Sequence, residues 1–371
     1  MDAENNLELQ VIERLLYKLT PSHDVITKTN LARMAYKVGA KERALTMFQE
    51  VINSIPGHAY PETIRALLLL QEQFPERKIR GEASVDREIV QMSTLGYNGR
   101  FGNQINQYSF VKLAAQSQNL SLQTPDWIGR YVFDIDDDPL GPVLPVMEET
   151  HIDIIAALEN RDSDIFDPKV GWVGSPKSLL SGFNIWGYFT TVQAQSLSLK
   201  TSLIAFKDQY QSLFSPAPWL RPATDAILNN LATRGKKIIA MHIRRGDMVN
   251  NPLYDHLLAP EQWYLDHLAQ HWDKHENPVL YLASDDPNTK NAFKDYPVVT
   301  AEDLGIIIPG AEFYTDWFVL SQAHQVYVAT SSFSGTAAAA NAMATDFYCA
   351  SFADNEFVKF DPWNPSSLPK T

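Results

Sequence analysis

Short apolar runs rich in β-branched residues alternate with segments whose apolar positions recur at helical spacing along the second half of the chain. The runs 238–243, 278–286, 297–301 and 325–330 have the length and texture of buried parallel strands. Between and after them, 262–271, 315–324 and 335–343 read as helices. Earlier in the chain, 108–115 predicts a helix and 120–122 a short strand. Strands alternating with helices define an α/β fold with parallel sheets.

The first 74 residues have a different texture. Leu7, Leu9, Val11, Ile12, Leu15, Leu16 and Leu19 form an apolar stripe at helical spacing. Leu31, Tyr36, Gly39, Ala44, Phe48 and Pro56 then fall at the spacings of one 34-residue tetratricopeptide-like repeat. Small residues such as Ala32 and Ala44 would let two antiparallel helices approach, with Phe48 filling the gap. A solenoid normally needs about three repeats. The segment is therefore expected either to pack on its own chain or to receive a protein partner. The charged stretch 76–87 reads as a linker or an exposed helix. These shifts divide the chain into a helical region 1–89, a first α/β domain 90–230 and a second α/β domain 231–371.

Composition narrows the partners. The chain has 371 residues, ample for two or three domains, and a net charge of −13. That charge disfavours nucleic acid or an anionic membrane surface, so an anion site must be a local basic pocket. The single cysteine, Cys349, excludes an intrachain disulfide framework and fits reducing cytosol. Cys349 is expected to serve as a small buried hydrophobe. No apolar run approaches the ~18 residues of a membrane span, and the acidic start of the chain lacks the features of a signal peptide.

Candidate chemistry clusters where predicted strands end. In open α/β sheets, ligands bind beyond the carboxyl ends of the strands. The run 238–243 ends in Arg244-Arg245-Gly246-Asp247, and a guanidinium there suits phosphate through paired charge-assisted hydrogen bonds. The run 278–286 ends in Asp285 and Asp286, carboxylates able to accept paired N–H groups from guanine. Ser331, Ser332 and Phe333 lie between a strand and a helix start, a phosphate-cradling arrangement. The stretch 96–107 (Gly-Tyr-Asn-Gly-Arg-Phe-Gly-Asn-Gln-Ile-Asn-Gln) places glycines and the amides of Asn103 and Gln104 ahead of a helix. Asp134 and Asp136 form an Asp-x-Asp pair of the kind that holds Mn²⁺ or Mg²⁺ on a sugar nucleotide. The aromatic segment 183–189 either lines a sugar cleft or closes a core.

Three segments occur together and in order: Gly-Arg-Phe-Gly-Asn-Gln at 99–104, His-Ile-Arg-Arg-Gly-Asp at 242–247, and Ser-Asp-Asp-Pro followed by Leu-Ser-Gln-Ala and Ser-Ser-Phe-Ser within 284–334. With them, 90–350 resembles the α1,2-, α1,6- and protein O-fucosyltransferase superfamily. Gly-Tyr-Phe at 187–189 is similar to a further segment of the α1,2 group.

The resemblance implies a GT-B-like fold, two Rossmann-like domains facing across a cleft, here with an all-helical N-terminal extension. It implies inverting, metal-independent transfer of fucose from GDP-fucose to a glycan or protein hydroxyl, with no further cofactor. By position, Arg244 would be the essential arginine on the β-phosphate and Arg245 a supporting contact. His242 and Asp286, or Asp285 in its place, would hold ribose and guanine. Ser331, Ser332 and Phe333 would cradle phosphate or base, and Gly102 and Asn103 would approach the pyrophosphate and fucose from the opposite domain. The family's acceptor-activating residues have no counterpart after Asp247, where Met248 and Asn250-Asn251-Pro252 stand; Asp255 and His256 are the nearest candidate bases. Eukaryotic secretory glycosylation enzymes normally carry a membrane span, so a bacterial cytosolic enzyme or an excised luminal domain is expected. Two other readings compete: a metal-dependent glycosyltransferase using Asp134 and Asp136, and a non-catalytic scaffold with a tetratricopeptide-like arm beside a degenerate nucleotide fold.

Overall fold

The structure, a computed structural model, describes residues 25–55, 58–79, 88–160, 163–167, 171–175, 180–189, 203–249 and 257–364. The stripe Leu7 to Leu19, Pro56 and the candidate bases Asp255 and His256 lie outside the described residues. The architecture is mixed α/β, with two mainly parallel sheets.

Three helices come first: α1 (Val25–Lys37), α2 (Lys41–Ser54) and α3 (Ala59–Gln73). Ala32, Ala35, Ala44 and Phe48 are fully buried between them. The small side chains let the helix axes approach, and the Phe48 ring occupies the space left. α3 buries two faces. Ile64 and Leu68 pack on α1 and α2, whereas Ala66, Leu67 and Leu70 enter the main core of the molecule. Polar contacts reinforce this docking: Gln71 Nε2 donates to Asp126 Oδ2 at 2.8 Å and Arg77 Nη2 to the Ile135 carbonyl at 2.9 Å. The Arg77 guanidinium also lies 4.4 Å from the centre of the Trp219 ring.

The first sheet contains β1 (Ile89–Gln91), β2 (Ser121–Thr124), β3 (Asp138–Pro139), β4 (Val146–Glu148) and β5 (Asn184–Trp186). Their spatial order is β3-β2-β1-β5-β4, with every pairing parallel. Helix α4 (Phe101–Ser117) follows β1. It begins at Phe101, ahead of the Tyr108 start that apolar periodicity predicts. The reason is its buried amides: Gln104 Nε2 donates to the Gly99 carbonyl at 3.1 Å and Gln107 Nε2 to the Asn98 carbonyl at 2.6 Å. Polar residues thus occupy an inward face, tying the helix to the loop before it, and mask its periodicity.

The second sheet is preceded by α5 (Arg221–Arg234) and contains β6 (Lys237–Ile243), β7 (Pro278–Ser284), β8 (Val298–Val299), β9 (Gln325–Val328), β10 (Asp346–Ser351) and β11 (Glu356–Phe360). Its helices include α6 (Glu261–His271), α7 (Tyr314–Gln322) and α8 (Ser332–Ala340). The strand order is β8-β7-β6-β9-β10-β11, parallel except for the last pair. β6 lies at the centre, Ala240 pairing with Tyr281 on one side and Val326 on the other. A strand flanked on both sides and covered on both faces is apolar along its middle, as Ile238 to Met241 are here, with the polar His242 only near its carboxyl end. Cys349 is buried on β10, and burial pushes its thiol up to about 12, leaving it a packing residue.

An aromatic cluster joins the two halves. Phe101, at the start of α4, has its ring 4.7 Å from Phe313 and 6.0 Å from Trp317, both of the second half. Phe133 lies 5.3 Å from Trp317. These rings belong to one continuous core that also receives Leu70 of α3.

Leu70→Ala tests whether the helical region and the α/β body melt together. Truncating a fully buried leucine in a shared core should cost about 2–5 kcal/mol. We expect one cooperative transition at lower temperature by calorimetry; a second transition left at the wild-type temperature would show that the helices unfold by themselves.

Candidate functional site

In each sheet the strand order reverses about the central strand, between β1 and β5 and between β6 and β9. Such switch points leave a crevice beyond the strands' carboxyl ends. Both crevices open into one cavity of about 910 Å³. The first sheet lines it with Tyr97 to Asn103 after β1 and Tyr188 after β5. The second contributes His242, Arg244 and Asp247 around the end of β6, Ser284 and Asp285 after β7, and Ser331 to Phe333 after β9. Gly310, Glu312, Phe313 and Asp316 add a further wall beside α7, and Tyr60, Glu62, Thr63 and Arg65 of α3 close the side toward the helical region.

Arg244 sits where β6 ends. Its guanidinium is ion-paired with both Asp247 and Asp285. Burial lowers its pKa, an effect opposed by Asp247, but a guanidinium remains charged at any working pH. Asp285 also accepts the Arg245 backbone N–H at 2.7 Å. Gly246 makes this arrangement possible: its φ is +31°, and a Cβ there would fall 2.4 Å from Asp285 Oδ2. Arg245 points elsewhere, its guanidinium donating to the carbonyls of Ala259 at 3.0 Å and Arg244 at 2.9 Å. It braces the loop and does not line the cavity.

His242 is buried, and its Nδ1 has no partner among the described residues. Burial, and then the neighbouring Arg244 charge, pull its pKa down to about 3. The imidazole is therefore neutral at working pH, with an unsatisfied ring nitrogen beside a cavity. A buried polar atom without a partner favours a ligand or water that supplies one. Phe333 lies 5.4 Å from the imidazole ring.

Two helix N-termini meet across the cavity. Ser331 caps α8, its Oγ accepting the Phe333 N–H at 3.3 Å, and Ser332 Oγ donates to Asn103 Oδ1 of α4 at 2.7 Å. Gly102 permits the approach, since a Cβ there would lie 2.5 Å from the Phe333 nitrogen. The space at Gly102 is thus taken by the protein's own backbone. The first N–H groups and dipole ends of α4 and α8 converge on one region, a favourable place for an anion.

The cavity also carries the carboxylates Glu62, Asp247, Asp285, Glu312 and Asp316 against the guanidiniums Arg65, Arg100 and Arg244. Glu62 and Asp247 are both committed to Arg100. Arg100 Nε and Nη2 meet Glu62 at 2.8 and 3.1 Å, and its Nη1 meets Asp247 Oδ1 at 3.4 Å. Glu312 and Asp316 differ, because neither is ion-paired among the described residues; Glu312 accepts the Gly310 N–H at 3.1 Å, and Asp316 is the more buried of the two. The Tyr281 hydroxyl donates to Asp316 Oδ1 at 2.6 Å, and desolvation nevertheless raises the pKa of Asp316 to about 6.

Of the residues singled out from sequence, Gly102, Asn103, His242, Arg244, Asp285, Ser331, Ser332 and Phe333 come together here. Arg245 and Asp286 do not line the cavity. Asp286 instead caps the turn after β7, accepting the Asn288 N–H at 2.9 Å. Asp285, one residue earlier, takes the inward direction because successive residues leaving a strand point to opposite sides. Asp134 and Asp136 do not line the cavity either. Each faces a different guanidinium, Arg77 at 3.8 Å and Arg130 at 3.7 Å, and their side chains are 61% and 91% exposed. The aromatic segment divides: Ile185 and Phe189 enter the core, Trp186 is exposed, and the exposed Tyr188 lines the cavity. Sequence reading missed Glu62, Asp316 and the role of Arg100. Arg100 stands inside the 99–104 motif, whereas Glu62 carries no local signal.

No family model and no curated protein matches the chain. Among solved structures, it is similar to NodZ α-1,6-fucosyltransferase soaked with GDP-fucose, at 13% identity and a TM-score of 0.39, over 74% of this chain and 98% of that one. It is similar to fucosyltransferase NodZ from Bradyrhizobium at 14% identity and a TM-score of 0.43, over 76% and 99%. A mutant of Arabidopsis thaliana FUT1 in complex with GDP matches at 11% identity and a TM-score of 0.45, over 78% and 79%.

Asp316 generates a stability prediction. Its folded pKa of about 6 lies above its ordinary value of 3.8, so the folded state binds the proton more tightly. Its burial is therefore tolerated best below pH 3.8 and costs most above pH 6. Asp316→Asn should gain stability relative to wild type as pH rises from 4 to 7. Melting curves at the two pH values check this, and a difference independent of pH would refute the shifted carboxyl.

Proposed function

We propose that the protein is a glycosyltransferase that moves fucose from GDP-fucose to a hydroxyl of a glycan or protein acceptor, with inversion and without a metal ion. The observation that carries this reading is Arg244. It stands at the switch point of the second sheet, faces the paired N-termini of α4 and α8, and belongs to a 242–247 motif that resembles the fucosyltransferase superfamily. Two sheets that each offer a switch point to one cavity suit a GT-B enzyme with the donor held between its halves.

In this reading the pyrophosphate lies against Arg244, Ser331, Ser332 and the two helix ends. Arg244 exchanges part of its carboxylate pairing for phosphate, one charge-assisted contact replacing another. As the bond from the anomeric carbon to the β-phosphate oxygen breaks, negative charge grows on that oxygen and GDP leaves, while the acceptor hydroxyl oxygen bonds to the anomeric carbon and its proton passes to solvent. A fixed guanidinium and helix ends stabilise the developing charge without reorganising. His242 offers its unsatisfied nitrogen to the nucleoside. Asp285 is engaged by Arg244 and the Arg245 N–H; of the lining carboxylates without an ion pair, Glu312 is exposed, and Asp316, the more sheltered, is assigned the paired N–H groups of guanine. Asp134 and Asp136 do not line this cavity, and each faces a separate guanidinium.

Calorimetry with GDP, UDP, ADP and CDP, each with and without EDTA, tests the donor. We expect selective GDP binding, unchanged by EDTA; equal affinity for UDP would end the guanine assignment. If Asp316 holds the base as a carboxylate, GDP affinity should weaken as pH falls through about 6, and Asp316→Asn should bind weakly without that dependence.

Arg244→Ala should lower turnover on the order of 10²- to 10³-fold while affecting GDP affinity far less. Arg244→Lys should not restore it, because an ammonium lacks the planar fork. A folded Arg244→Ala enzyme with near wild-type transfer would defeat the assignment.

A further inference from the structure

The helical region does more than dock. Glu62, in the first turn of α3, is the group that holds Arg100 in two-pronged fashion. Arg100 reaches Asp247, and Asp247 is also paired with Arg244. These side chains are only partly exposed, so solvent screens them incompletely. Asp247 is thus one carboxylate shared by two guanidiniums, and the second carboxylate that compensates Arg100 comes from α3.

We propose that Glu62 is a positioning residue for Arg244: the helical region completes the catalytic unit by supplying the charge that keeps Arg100 from taking Asp247 away. The proposal rests on Arg244 being the group that meets the diphosphate. A neutral side chain at 62 leaves Arg100 with Asp247 as its nearest carboxylate. Arg100 then moves onto Asp247, and Arg244 loses part of that pairing while facing an uncompensated positive neighbour. Both effects push the Arg244 fork out of its present orientation. The cavity meanwhile becomes more positive, so binding of an anionic nucleotide is maintained or strengthened.

A role confined to stability would lower nucleotide binding and turnover together as folded protein is lost. Positioning separates them. Glu62→Gln should reduce kcat roughly tenfold, within the range of coupling between neighbouring charged groups, while GDP binds as well as or better than in wild type. Adding Arg100→Gln removes the displaced charge, so the double variant should turn over faster than Glu62→Gln alone. Glu72→Gln, on the same helix but bonded to Tyr36 and Lys41, should leave kcat unchanged.

The labelling rate of Arg244 by phenylglyoxal, followed by mass spectrometry on the full chain, gives a readout that needs no donor. It should change severalfold in Glu62→Gln and return toward wild type in the double variant. Wild-type protein that binds no GDP would defeat the donor reading, and the labelling pattern would then decide the positioning proposal alone. An Arg244 labelling rate equal in all variants, or a double variant no faster than the single, overturns it.

Discussion

A line of alternating charges, Glu62–Arg100–Asp247–Arg244–Asp285, runs from the helical region through the loop after β1 to the ends of β6 and β7. Charges this close to a protein interior persist only when paired and held in good geometry. Each guanidinium here meets two carboxylates, and the three inner charges, Arg100, Asp247 and Arg244, are each flanked by opposite charges. Four separately coded parts of the chain must be in register for this to happen. The pairing keeps Arg244 charged and oriented at the cavity wall, where it is available to an anion.

The backbone that carries these charges is held by apolar packing. Phe101 follows Arg100 directly and is inserted among Phe133, Phe313 and Trp317, so the loop bearing Arg100 cannot shift without disturbing the core between the two sheets. On the other side, Gly246 lets Asp285 approach the Arg245 N–H, and the buried Tyr264 hydroxyl donates to the His242 carbonyl at 3.1 Å. Site geometry and core packing are therefore one problem. The same side chains that exclude water from the interior set where the charged groups stand.

The cavity also offers an acidic protein a place for an anion. Its lining carboxylates outnumber its guanidiniums, and the compensation comes from backbone. The N-termini of α4 and α8 converge there, brought together by the Ser332–Asn103 hydrogen bond and by the absence of a side chain at Gly102. Helix-end dipoles add positive potential that no count of charged residues records. A site of this kind favours a ligand with both anionic and neutral hydrogen-bonding parts.

Much of the fold was legible in the sequence because parallel strands buried on both faces are continuous apolar runs, and the four runs predicted in the second half are strands β6 to β9. The order of motifs at strand ends also marked eight cavity residues, since an open α/β sheet gathers its strand ends in one place. The tertiary structure alone decided the rest. Which of Asp285 and Asp286 faces the cavity depends on the direction in which the chain leaves β7. The start of α4 was hidden because its inward face is built from amides that serve a neighbouring loop. Asp134 and Asp136 make a plausible metal pair in one dimension, yet in space they turn to separate arginines. Glu62 lies on a helix with no motif around it and Asp316 on α7 just outside the Leu-Ser-Gln-Ala segment, and their place beside Arg100 and Tyr281 comes from packing between segments 38 and 35 residues apart in the chain. Local sequence encodes local periodicity and strand-end chemistry, whereas contacts between distant segments are set by how the sheets and helices close on one another.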